Sequence, residues 1–280
     1  MPCLTGIECR VGASRPGPIR ASLVSLTCFL RGLPLFFCAT PRTPLRVLCI
    51  IALDTLHVLR YARPLSKEKR NELATFLDFQ ACMNAAWDRK DLCAVEYQGL
   101  RQRLENAGLR LWIDEYVTLL RELETRRPPI GGDHRRFEEV RLYREAVARL
   151  SLGTITAIAL NAARLEDAIR ATHCDRDVTT LFRMAMQCQV IDDLVDYKKD
   201  LSAGLPSFLT ASVSLPQALA LTAKAARSYA ASPERSPGLA VFPLRTALQV
   251  LSAVTTLVGR IAHTVCRAPV ARGLNPPFFQ

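Results

Sequence analysis

Lysine is scarce in this chain, supplying 6 of the 37 basic residues, so lysine-rich tails of the histone kind are absent. Glycine (13) and proline (17) are too few for a fibrous or low-complexity protein. No two of the ten cysteines are spaced Cys-x-x-Cys, and in a chain of this length they read as reduced core residues of a cytoplasmic protein. The four histidines (His57, His134, His173, His263) are scattered, which argues against a zinc site. No apolar run reaches the ~20 residues that a membrane-spanning helix needs. The longest such run, residues 21–39, is broken by Arg31 and Pro34. Alternating strand patterns and internal repeats are lacking as well.

What is present is enough apolar sequence for one sizeable core: 49% hydrophobic against 22% charged residues argues against wholesale disorder. The net charge of +11 invites an anionic partner, but it is unevenly spread. Residues 1–47 hold six arginines against Glu8, a net +5, and the other 233 residues carry +6. The expected organisation is a basic, poorly ordered extension over 1–45, a helical domain over 46–270 and a tail over 271–280. The extension is the place for a targeting role or peripheral membrane association, and a chain starting near residue 42 is expected to fold. Nucleic acid is not an expected partner, because the body is only mildly basic and no base-reading motif occurs. The oligomeric state is left open.

From residue 46 the period is helical almost throughout. Helices are expected over 46–61, 66–88 (with Ser66 as N-cap), 94–107, 111–126, 136–164, 176–200, 216–231 and 240–267. Arg126–Asp133 (RRPPIGGD) and Gly204–Phe208 (GLPSF) are breaks. Eight or so long helices predict an all-α fold, a single large bundle.

The most informative stretch is Gln189-Val-Ile-Asp192-Asp193-Leu-Val-Asp196-Tyr197-Lys-Lys199-Asp200. At about 100° per residue from Gln189, Asp193 falls at about 40°, Asp196 at about −20°, Asp200 at about 20° and Asp192 at about −60°. Four carboxylates and an amide thus share one side of a helix. Two like charges ~4 Å apart repel by roughly 4 kcal/mol at an effective dielectric of ~20, so such a cluster needs protons or a cation. Oxygen ligands of this kind suit Mg²⁺. A solvated acidic face paired to Lys198, Lys199 or nearby arginines suits the same residues.

The order Q-x-x-D-D-x-x-D, followed by Asp200 and then Gly204, resembles the second aspartate-rich motif of the class I isoprenoid synthases, a group that includes polyprenyl, squalene and phytoene synthases and terpene cyclases. The resemblance implies a helical bundle around a central apolar cavity, Mg²⁺ as cofactor and a prenyl diphosphate as substrate. It makes Asp192, Asp193 and Asp196 metal ligands, with Gln189 and Lys199 near the diphosphate and Asp200 and Tyr197 in support. A first metal motif facing the second is implied too. Asn84 and Asp88, at i and i+4, with Asp91 nearby, resemble its Asn/Asp-x-x-x-Asp form. They depart from the commoner DDxxD, and Asn84 capping a frayed helix end is the plainer account. Arg141, Arg144 and Arg149 occupy the place of the family's diphosphate-sensing arginine, with Tyr143 as a pocket wall. They also suit ordinary ion pairs with Glu138, Glu139 and Glu145. No Gly-Lys-Arg run follows the second motif, which disfavours chain elongation and leaves cyclisation or head-to-head condensation. The rival expectation is a non-catalytic bundle that binds a prenyl lipid or a protein partner.

Overall fold

The structure is a computed structural model and describes residues 18–34, 44–89, 93–231 and 242–267. Asp91 and the tail over 271–280 lie outside the described residues, as do 1–17 and 35–43 of the expected extension. The fold is all-α, with eleven helices and no strand among the described residues. In chain order they are α1 (Pro18–Gly32), α2 (Pro44–Tyr61), α3 (Lys67–Arg89), α4 (Ala94–Asn106), α5 (Arg110–Thr125), α6 (His134–Leu160), α7 (Leu165–Cys174), α8 (Arg176–Val195), α9 (Tyr197–Ala203), α10 (Leu215–Ala230) and α11 (Phe242–Arg267). They group into two compact units, each drawn from three segments of chain.

The first unit comprises Met1–Thr118, Leu150–Thr179 and Gly238–Arg245. Its centre is aromatic. Phe76 lies 5.9 Å from Phe79 and 5.6 Å from Tyr116, ring to ring, and Phe79 lies 5.6 Å from Tyr97, so α3, α4 and α5 are joined through tilted and edge contacts. Ser66 caps α3 as its sequence predicts, its hydroxyl accepting from the Lys69 N–H at 3.1 Å. Gly153 of α6 allows α7 to come close, since a Cβ there would stand 3.0 Å from the Ile169 Cα. The buried Asp54 of α2 accepts from the Leu65 N–H at 2.7 Å and pairs with Arg31 of α1 at 3.5 Å. Arg31 also donates to the Leu65 carbonyl at 2.9 Å, and Arg70 donates to the Arg31 carbonyl at 2.7 Å.

That network makes α1 part of the fold. The sequence reading gave no order to residues up to 45, yet over 18–34 the chain is a helix with Cys28 buried and Gly32 tight against Ile51 of α2. A second departure is α7, which the sequence reading left unassigned. Asn161, at φ 51°, ends α6 in the left-handed region, and Asp175 then caps α8 by accepting from the Asp177 and Val178 N–H groups at 3.0 Å. α6 and α7 meet at 110°. Their apolar residues (Leu152, Ile155, Ile158, Leu165, Ala168) are buried in the first unit's core. No single helix among the described residues is long and apolar enough to cross a membrane.

The second unit comprises Leu119–Arg149, Thr180–Pro237 and Thr246–Gln280. Asp133 caps α6, its carboxylate accepting from the Arg135 N–H at 2.9 Å, and those backbone donors hold its carboxyl below the usual range. The loop before α6 is tied to the loop after α9. Gly131 N–H donates to the Thr210 carbonyl at 2.8 Å, and Phe137 packs on Phe208 at 5.9 Å. Buried Arg183 of α8 donates to the Tyr229 carbonyl at 2.6 Å and to that of Ala231, closing the C-terminal end of α10. Gln187 donates to the Ala226 carbonyl at 2.8 Å.

Candidate functional site

The acidic stretch falls at the junction of α8 and α9. The expected single helix over 176–200 is divided at Asp196, whose backbone (φ −90°, ψ 9°) leaves helical values for one residue. The hydrogen-bond ladder nonetheless continues, Asp196 N–H donating to the Asp192 carbonyl at 2.8 Å and Asp200 N–H to that of Asp196 at 2.9 Å. The carboxylates therefore keep their common side across the junction. Gly204, at φ 67°, ends α9 in the left-handed conformation that glycine adopts without strain.

Within this cluster the carboxylates have different roles. Asp193 is 1% exposed and bound at both oxygens. One accepts from Arg144 of α6, the other from the Phe208 N–H at 2.7 Å, and Gln189 also donates to it. Burial pushes its carboxyl up, and the Arg144 guanidinium and Phe208 N–H pull it back. Asp193 thus clamps α8 to α6 and to the Gly204–Phe208 loop. Asp192 is exposed at its surface, and partial desolvation, with the Asp193 and Asp196 charges, raises its carboxyl. Asp196 accepts from Lys199 at 2.7 Å. Asp200 is half-buried, and desolvation, then the Asp193 charge, push its carboxyl up to about 6.

The arginines of α6 separate in the same way. Arg141 pairs with Glu138 at 2.8 Å and Glu145 at 3.3 Å, a part-buried network in which Glu145 also accepts from Tyr229 Oη–H at 2.7 Å. Arg144 is the partner of Asp193. Arg149 lies over the Phe182 ring at 3.6 Å, and burial lowers its pKa. Phe182 was not singled out from the sequence, although it precedes Gln189 by two helical turns on the same face. Tyr143 donates to Glu124 at 2.9 Å, and burial with the Glu124 charge pushes its phenol up. It lines a cavity of about 550 Å³ with Arg126, Arg127, Pro128, Arg136 and Leu142. The Phe208 N–H was missed because a backbone donor leaves no residue-type signal.

In the first unit, Asn84 and Asp88 are both exposed near the C-terminal end of α3. Asp78 of the same helix is taken up by Arg46 at 3.0 Å.

Among the described residues no three His, Cys, Asp or Glu side chains are gathered as a metal cage. Mg²⁺ asks for less, one or two carboxylates with water and phosphate oxygens completing the octahedron. Asp192 and Asp196, one turn apart on the same side of the helix junction, fit that demand. Asp193 does not, since its oxygens are already engaged in the fold. Comparison of the chain with protein-family models, with curated proteins and with solved structures finds no match.

Proposed function

We propose that this chain is a class I isoprenoid synthase, ionising an allylic prenyl diphosphate with Mg²⁺ and then cyclising or condensing the product. The observation that carries the reading is the carboxylate edge of α8 and α9, with Asp192, Asp196 and Asp200 outside and the Arg144–Asp193 pair fixed beneath. Asp192 and Asp196 are the ligands, and Mg²⁺ when bound supplies Lewis-acid neutralisation of the leaving diphosphate. Lys199 and Arg149 are the diphosphate donors, Lys199 moving from Asp196 as substrate enters. Arg144 has a positioning role: through Asp193 it holds the metal-bearing turn against the Gly204–Phe208 loop. Heterolysis sends the C–O electron pair to the diphosphate, which can later accept the proton lost from the cation.

The test is diphosphate release from geranyl, farnesyl and geranylgeranyl diphosphates with Mg²⁺. Release is expected from at least one, and Asp192→Ala with Asp196→Ala should remove it while leaving the helical circular dichroism intact. Release unchanged in that double variant overturns the assignment. The engagement of both Asp193 oxygens favours a second reading, a bundle that binds a prenyl chain without turning it over. It predicts saturable binding of the same diphosphates with no release from the unaltered protein.

A further inference from the structure

The face of α1 turned away from α2 is apolar and uncovered. Ile19, Leu23, Leu26 and Leu30 are 78%, 59%, 55% and 55% exposed, and Phe29 beside them is 40% exposed. At about 100° per residue the first four fall within an arc of about 60°, a continuous stripe along the helix. The opposite side of the same helix is committed to the fold through Cys28, Gly32 and the pairing of Arg31 with Asp54. The stripe is therefore held outward by a structured element.

Its charge setting is one-sided. α1 contains no acidic residue, Arg20 is exposed at its first turn, and the sequence before it adds Arg10 and Arg15 against Glu8. A second copy of this chain is a poor occupant, because its own α1 brings no acidic residue to meet Arg20. A nucleic acid would use the arginines and leave the leucines wet. An anionic lipid surface satisfies both features at once. The helix is too short to span a bilayer: fifteen residues at ~1.5 Å each cover about 22 Å of a ~30 Å hydrocarbon core. It suits lying in the interface plane.

We propose that α1 docks this protein on anionic membranes, with Ile19, Leu23, Leu26 and Leu30 entering the acyl boundary and Arg20 meeting the headgroups. The reading does not depend on the chemistry of α8.

The experiment is co-sedimentation of the full chain with vesicles of phosphatidylcholine alone and of phosphatidylcholine containing phosphatidylserine. Binding to the phosphatidylserine vesicles is expected, at least about tenfold tighter than to the neutral ones and weakened by salt. Leu23→Ser with Leu26→Ser should reduce it about tenfold or more with an unchanged circular dichroism spectrum. Val95→Ser, at a still more exposed apolar residue on α4, should leave it unaltered. Equal affinity for both vesicle types, absence of binding, or binding indifferent to the double substitution overturns the proposal. So does a concentration-dependent dimer in sedimentation velocity that the double substitution converts to monomer, which assigns the face to a second copy.

Discussion

Asp200 shows how one carboxyl registers the crowding around it. Its ordinary value is 3.8, and in the folded protein it is pushed up to about 6. Between about pH 4 and pH 6 the folded chain holds a proton that the unfolded chain has released. The favourable contribution is therefore complete below pH 4 and lost as the pH rises through 6, above which the ionised group is a net cost. Asp200→Asn, measured by urea unfolding without divalent ions, should leave stability unchanged at pH 4. It should raise it at pH 7 by about 1 kcal/mol, a figure discounted because the side chain is only half-buried and solvent screens it. A loss at pH 7 would show that Asp200 is stabilised as an anion. The residue identities of this cluster were plain in the sequence, and so were the arginines of α6, though as diphosphate donors or partners of Glu138, Glu139 and Glu145 rather than of an aspartate. Which carboxylate Arg144 would take was not, because helical phase gives Asp193 and Asp196 nearly the same face and only the packed structure distinguishes them.

Some element ends carry local chemistry that the sequence displays. Ser66 opens α3, Asp133 opens α6 and Gly204 closes α9, each through its own side chain or its freedom at positive φ. α7 escaped notice because Asn161 is a weaker stop than glycine, so the helical period of α6 reads on past its end. Its approach to α6 depends on Gly153. Gly153→Ala brings a methyl to 2.8 Å from Ile169 Cγ1 and 3.0 Å from its Cα, and should destabilise the protein by about 1–2 kcal/mol despite alanine's better helix propensity. Gly99 of α4 has open space at the same atom, so Gly99→Ala should stabilise by about 0.5–1 kcal/mol. Thermal or urea unfolding of the pair checks both signs. Equal shifts would mean that α6 and α7 can part without loss.

For the whole molecule, the all-α class follows from hydrophobic period alone, whereas the place of the front end does not. Its arginine content and its prolines read as an extension, and the packing of Arg31 on Asp54 and of Gly32 on Ile51 is a long-range outcome that no local pattern announces. A chain shortened to begin at Pro44 leaves Asp54 without Arg31 and uncovers the α2 surface around Ile51. It should unfold about 2–4 kcal/mol more easily, the scale of removing a buried ion-pair partner together with apolar cover. An unaltered melting temperature would return α1 to the status of an appendage. The division into two units has a further effect on synthesis. The first unit draws its last piece from Gly238–Arg245 and the second its last piece from Thr246 onward, so neither is a continuous stretch. A chain emerging from the ribosome cannot complete either one early, and no single cut yields a fragment that contains all of one and none of the other. The first unit lacks its last piece until Arg245 is made, and a nonsense mutation in α11 beyond that residue would truncate the second unit alone.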